Sequence, residues 1–438
     1  MKEYAGSPSQ SYVNYVIGVL MICWMFSFID RSIISIIIDP IRKDLNLSEV
    51  EIGFIIGPAF GTFYIVFGLV MGQIADNWSR RNLIAFGVAA WSLATIACGL
   101  ATDFWSLCIA RALVGAGEAA LAPAAYSMIP DYTKPATVGR ALGFFNCGSS
   151  IGGGMALVAG GYIVQFASQG GLDGTMLSGV AGWRIAFFSA GLPGLLVALL
   201  LMLTVREPVR KIGSIAEKSI AALLAYLRAH GGVLSAITVG AAGLVVVQYT
   251  WLLWGPVYLM RVHGLSFSQV GLYQGLMFGL LGTAGTLLGG YLRDWFILRG
   301  QHTAPLIVNI IAAAVAAPML ITSFLIEHTI LCLILFGVGS AITCMNSAMH
   351  GASVIAFVPS QLRGKFSALY VTVVTLAGLA IAPLITAFFT ENVFGGEMEI
   401  GRSLAATCAI GAITTLVLLT LARPAAHRRA AALLAAET

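Results

Sequence analysis

The sequence predicts an all-α membrane protein of twelve transmembrane helices, arranged as two six-helix, pseudo-symmetric halves. Three observations lead there. Of 438 residues, 58% are hydrophobic and only 10% charged, whereas a soluble domain carries roughly a quarter charged residues. Apolar runs of about 20 residues recur along nearly the whole chain, each long enough to cross a bilayer as a helix. The third observation is a repeat: Gly72-Gln-Ile-Ala-Asp76 returns as Gly290-Tyr-Leu-Arg-Asp294 and Gly115-Ala-Gly117 as Gly337-Val-Gly339, at offsets of 218 and 222 residues.

In hydrocarbon every backbone polar group must be bonded internally, which leaves helices or a closed barrel. The runs are too long and lack the alternation a barrel strand needs. Spans are expected at 13–38, 50–73, 83–101, 104–129, 140–166, 183–205, 233–259, 270–292, 304–326, 328–350, 366–390 and 402–422. The first is too long for the apolar core of a cleaved leader and carries Asp30-Arg31, so it is read as a span. Cys23, Cys98, Cys108, Cys147, Cys332, Cys344 and Cys408 all fall within apolar runs and read as small core residues. Neither they nor the six histidines show a metal-ligand spacing, and His350 at a span end reads as an interfacial polar group. No metal and no cofactor is expected.

The net charge of +5 does not point to a nucleic acid, because the basic residues lie in short interhelical loops. With both termini on one side, seventeen Lys and Arg fall in loops and tails on that side and five on the other. That bias places both termini in the cytoplasm, and the membrane is taken as the bacterial inner membrane. The longest polar stretch divides the chain into an N-terminal half (1–205), a linker (206–232) and a C-terminal half (233–438). In the linker Ile220, Leu223, Leu224 and Leu227 follow a helical spacing, so an amphipathic helix on the inner surface competes with a partly ordered tether. Six spans per repeat give both copies one orientation, and a substrate path is expected between them. The chain is expected to be monomeric.

Four charges lie deep inside spans: Asp30 and Arg31 in the first, Arg111 and Glu118 in the fourth. Each is costly there, so the default reading is functional. Arg111 and Glu118 are seven residues apart and share a helical face, about 10 Å from each other. Counted from expected outer ends at Ile38 and Phe104, Asp30 and Arg111 are level at about 12 and 10 Å, while Glu118 is at about 21 Å. Asp30 is therefore expected to pair with Arg111, leaving Glu118 as the principal proton carrier. The alternative, an ion-pair cluster that only locks two helices, is disfavoured because the second half has Gln248-Tyr249, Leu333 and Ser340 near the matching positions.

Two motif-like strings carry no chemistry. Gly148-Ser-Ser150-Ile-Gly152 matches a nucleophile elbow and Gly115-Ala-Gly117-Glu-Ala-Ala120 a dinucleotide fingerprint, but neither has the strand that such a turn requires. Both read as packing faces of small residues.

With these residues in place the chain resembles the major facilitator superfamily over nearly all its length. Gly72-x-x-x-Asp76-x-x-x-Arg80-Arg81 looks like that family's signature after its second span, and Asp294 with Arg299 looks like the second-half copy. The resemblance implies a gating role for these six residues. Asn77 stands where a basic residue is usual and Ser79 where Gly is usual, which implies a looser latch. A finer resemblance is to the Spinster-like branch, carriers of lysophospholipids and sphingosine 1-phosphate. It rests on Phe28-Ile-Asp30-Arg31, on Arg111-Ala-Leu-Val-Gly-Ala-Gly-Glu118 and on Leu362-Arg363-Gly-Lys-Phe-Ser-Ala-Leu-Tyr370.

The function expected is secondary active, proton-coupled transport by alternating access of an amphipathic, lipid-like substrate. Glu118 and Asp30 are the proton-coupling residues, Arg31 and Arg111 hold an acidic head, and Tyr249, Trp254 and Tyr370 meet the apolar part. An Ile-Asp-Arg triplet also occurs in organic-anion symporters of the superfamily, so a sugar acid or carboxylate is the second reading. A membrane-embedded lipid-modifying enzyme would need a nucleophile or metal constellation, and none is evident in the sequence; a receptor would bring a larger soluble loop.

Overall fold

The computed structural model describes residues 9–134, 137–210 and 220–437. Twelve helices are long and apolar enough to cross a membrane. In the first half they are α1 (Gln10–Asp44), α2 (Glu49–Asn77), α3 (Arg80–Leu100), α4 (Phe104–Tyr132), α5 (Val138–Ser168) and α6 (Gly182–Thr204). In the second they are α7 (Ile220–Arg261), α8 (Phe267–Leu298), α9 (Ala304–Leu325), α10 (Thr329–Phe357), α11 (Arg363–Val393) and α12 (Glu397–Leu433).

Most helices outrun the apolar stretches that predict them, because polar ends continue the backbone ladder. Ser9 caps α1, accepting from Tyr12 N, and at the other end Pro40 lies within the helix while Arg42 and Lys43 occupy the last turn. Cations there oppose the negative end of the helix dipole. Asp103 caps α4: its carboxylate accepts from Ser106 N at 2.9 Å, and that bond holds the carboxyl below its ordinary range. Leu223 and Leu227, expected on a separate amphipathic helix, lie in the first turns of α7 and pack against buried side chains that include Leu234, Phe357 and Phe366. Residues 211–219 of the expected linker lie outside the described residues.

The chain forms two compact units. The first contains α1–α6 together with Gly255–Gly279; the second contains α7 as far as Trp254 and everything from Leu280 onward. Of the three crossings, the one at 212/213 lies outside the described residues and the other two fall at irregular helix. Pro256 inside α7 has no N–H to donate, and α8 makes a π-turn over Met277–Leu281.

Within the first unit, close backbone approach sets the site. A Cβ on Gly152 of α5 would collide with the carbonyl of Met25 on α1, and one on Gly115 of α4 with the carbonyl of Phe60 on α2. A Cβ on Gly117 would sit 2.8 Å from Trp91 N on α3. The two small-residue strings are thus packing faces: one seats α5 on α1, and the other presses α4 onto α2 and α3 at the depth of its charges. Immediately after Glu118 the α4 ladder tightens, with Ala120 N donating to Gly117 O at 3.3 Å. The second unit has a comparable irregularity, a 3-10 turn over Cys344–Ala348 in α10.

Candidate functional site

All four deep charges gather in the first unit. Glu118 is fully buried and its Oε2 accepts from Arg31 Nε at 2.6 Å and from Ser27 Oγ at 2.7 Å. Ser27 and Arg31 are four residues apart on α1, so they stack on one face and converge on the same oxygen. Asp30 is turned about 100° from Arg31 and faces Thr95 of α3, within electrostatic reach of Glu118, Arg111 and Arg31. Asp30 and Arg111 are each 2% exposed, and neither Asp30 Oδ1 nor Arg111 Nε has a hydrogen-bonding partner.

The pairing differs from the one expected. The Asp30–Arg111 bridge does not form; Arg31 takes Glu118 instead. The reason lies in the end of α1, which continues to Asp44 and not to Ile38. Asp30 is fourteen residues from that end and Glu118 fourteen from Phe104, so both sit about 21 Å in. Depth counted from the apolar run was short by a turn and a half.

Aromatic rings surround the cations. Arg31 Cζ lies 4.4 Å from the ring centre of Tyr64, 5.1 Å from Phe28, 5.4 Å from Phe60 and 6.0 Å from Trp24. Arg111 Cζ lies 4.8 Å from the same Phe60 ring. Ring faces attract a guanidinium without neutralising it, so the rings cancel neither charge. Phe60 and Tyr64 were missed in the sequence because an aromatic in an apolar span has no signature of its own.

At the α2–α3 loop the buried residue is Arg80, 1% exposed. It donates to Asp131 at 2.5 Å, to Glu207 at 2.8 Å, to Ser127 O and Oγ at 3.1 Å and to Pro208 O at 3.2 Å. Glu207 also accepts from Ser79 Oγ and Arg81 N, while the Arg81 side chain turns to Asn82. The end of α2 is capped from a distance. Arg210 donates to the carbonyls of Ala75, Asp76 and Trp78, whereas the Asp76 side chain is exposed. Asp131, Glu207 and Arg210 lie 50 residues or more further along the chain, so local spacing gives no sign of them. Gly72 has open space at its Cβ position.

A second buried cluster, also missed, joins Arg261 to Asp39 at 2.5 Å and to Glu49 at 2.6 Å, with Arg42 3.6 Å from Glu49. These residues read as loop charges in a topological tally.

In the second unit the matching positions are neutral or exposed. Asp294 accepts from its neighbour Arg293 at 2.8 Å, and Arg299 stacks on Trp295 with Cζ 3.5 Å from the ring centre. Trp254 is fully buried and donates to Pro383 O at 3.2 Å; Tyr370 OH meets His350 Nδ1 at 3.1 Å. Tyr249 is half-buried against Gly378. No group of three or more metal-ligating side chains occurs among the described residues.

Twelve spans, with a buried charge cluster inside an apolar bundle, define a polytopic helical membrane carrier. The chain belongs to the Major Facilitator Superfamily, whose family model matches residues 20–383, and it is accordingly a transporter and not an enzyme. It is similar to the crystal structure of a bacterial homolog to human lysosomal transporter Spinster, inward-facing and unoccupied, with 27% identity, 98% of each chain covered and a TM-score of 0.78. It is 25% identical to an MFS-type efflux pump of Mycolicibacterium smegmatis over 91% of this chain and 90% of that protein. It is also 25% identical to a probable L-galactonate transporter of Escherichia coli over 85% of this chain and 82% of the relative.

Proposed function

We propose that this protein is a proton-coupled carrier of a lipid-like amphiphile with an acidic head, of the lysophospholipid or sphingosine 1-phosphate kind, working by alternating access. The observation that carries the reading is the Arg31–Glu118 ion pair beside Arg111, all walled by aromatic rings. An acidic head entering this space competes with Glu118 for Arg31. A fully buried carboxylate that loses its cation is strongly destabilised, so it takes up a proton as the anion binds. Substrate and proton then travel together, through one shared cation. Asp30, buried without an ion pair, is the second carboxyl of the relay. Similarity to the Spinster homolog supports the lipid-like class.

The second reading, a sugar acid or other organic anion, is favoured by similarity to the probable L-galactonate transporter. Small anions would use the same two arginines. Purified protein in proteoliposomes, offered labelled lysolipid and labelled sugar acid in parallel, with and without a pH gradient acid on the outside, separates the readings. Gradient-driven uptake of lysolipid is expected; uptake of the sugar acid alone would reverse the assignment. Glu118→Gln, with a shape close to that of the protonated acid, should fold normally and lose most of the gradient dependence. Full gradient-driven transport by that variant would leave Asp30 as the carrier.

Gly72, Asp76, Arg80 and Arg81, with Asp294 and Arg299, are proposed to act in gating, and the protein is proposed to work as a monomer in a bacterial inner membrane with both termini in the cytoplasm. Cysteines introduced at Ser178 and His427, both exposed, test the topology. An impermeant thiol reagent applied to intact cells should label the first and spare the second.

A further inference from the structure

In the second unit, where α8 ends and α9 begins, a cavity of about 190 Å³ is lined by the basic side chains Arg293, His302 and Arg363 and by the apolar side chains Ile297, Ile355 and Leu433. It is remote in sequence from Asp30, Arg31, Arg111 and Glu118, and transport as outlined above makes no use of it. A water molecule takes up about 30 Å³ in the liquid, so the space suits a group of roughly six waters. That is enough for a phosphate with its ester oxygens and too little for an acyl chain.

The basic lining is built to hold a charge in place. Arg363 is anchored by two bonds, Nε to Val358 O at 3.0 Å and Nη2 to Ile355 O at 3.2 Å, so its guanidinium is oriented in advance. Arg293 is tied through Nη1 to Asp294 at 2.8 Å, while its Nε is buried without a hydrogen-bonding partner. No carboxylate lines the cavity among the described residues. The end of α12 contributes Ala430 and Leu433 to the lining, and next to it Arg423 reaches Gln301 while the His427 ring lies 6.0 Å from that of His302. The apolar lining opens outward: Ile355 is 55% and Ile297 39% exposed. Basic groups at a helix end, bordered by exposed apolar side chains of membrane-spanning helices, match a molecule with an anionic head and hydrocarbon tails.

We propose that this cavity binds the phosphate head of an anionic glycerophospholipid of the bilayer, its chains lying along Ile297 and Ile355. A zwitterionic lipid presents the same phosphate but brings a cation toward Arg293 and His302, and is disfavoured. Free phosphate has no use for the apolar lining.

The test is native mass spectrometry of the purified full-length chain equilibrated with equal amounts of phosphatidylglycerol and phosphatidylcholine. One phosphatidylglycerol should be retained in preference to phosphatidylcholine, and Arg293→Gln should weaken that retention about tenfold, the effect of one charge-assisted hydrogen bond. Arg363→Gln should act in the same direction. Should its lost backbone anchors prevent folding, Arg293→Gln carries the test alone, because Arg293 pairs only with an adjacent exposed side chain. Arg228→Gln, an exposed cation of the same unit outside the cavity, should leave retention unchanged. Equal retention by wild type and Arg293→Gln overturns the site, and an equal loss in Arg228→Gln reduces it to diffuse surface charge. Stabilisation by millimolar inorganic phosphate that depends on Arg293, without any by phosphatidylglycerol, would make it a free-anion site instead.

Discussion

The loops after the second and eighth spans share a sequence pattern and little else. At the offset of 218 residues Arg81 corresponds to Arg299, and Arg80 to Leu298. Arg80 is 1% exposed and bonded to two carboxylates, whereas Leu298 is 87% exposed and Arg299 stacks on its neighbour Trp295. One copy is a buried ionic knot drawing on the ends of α4 and α6; the other is a solvent-facing loop. The buried charges differ in the same way: the first unit has Asp30, Arg31, Arg111 and Glu118, the second Trp254, Tyr370 and His350. A repeat preserves backbone path, and buried charge is kept only where partners from other helices exist to compensate it.

The sharpest way to break this comparison is to remove the two arginines in turn. Arg80→Met leaves Asp131 and Glu207 facing each other in a protected place, 9% and 21% exposed, and should cost about 3–5 kcal/mol, seen as a large drop in the melting temperature of the purified protein or as failure to express. Arg299→Met should change stability by no more than about 0.5 kcal/mol. Similar losses at both would mean that the copies are mechanically equivalent after all.

Smaller effects sharpen the contrast within the second unit. Tyr370→Phe removes the hydroxyl that meets His350, and Trp254→Phe the donor to Pro383 O; each should lower stability by about 1 kcal/mol. If uptake falls far more than stability in either variant, that side chain meets substrate as well as holding helices together. The least effect on folding is expected from Asp76→Asn, under about 0.5 kcal/mol, because the side chain is exposed. Measured beside transport, it isolates any gating role: unchanged melting with slowed uptake is the expected result, and unchanged uptake would remove Asp76 from the gate.

Much of this was legible in the sequence. Twelve spans, the repeat and the four deep charges follow from apolar length and from the rarity of ionised groups in hydrocarbon. The pairing was not legible. Depth was counted from the end of the apolar run, but Asp39–Asp44 stay helical because Asp39 and Arg42 belong to the buried cluster with Glu49 and Arg261, a contact that spans more than 200 residues of chain. The cap on α2 was not legible for a related reason: its donor, Arg210, is over 130 residues from the carbonyls it serves. Local spacing identifies which residues are costly; it does not say which distant residue compensates them.

Arg31 lies 6.0 Å from the indole of Trp24, and this makes the site its own optical reporter. Indole emission responds to the electric field across its rings, so moving a guanidinium charge past Trp24 changes its colour as well as its surroundings. A protein in which the other seven tryptophans are replaced by phenylalanine would give a real-time signal from inside the bundle, without label or radioactivity. A shift on adding an acidic amphiphile would report whether Arg31 exchanges Glu118 for the incoming head, and at what point of the cycle.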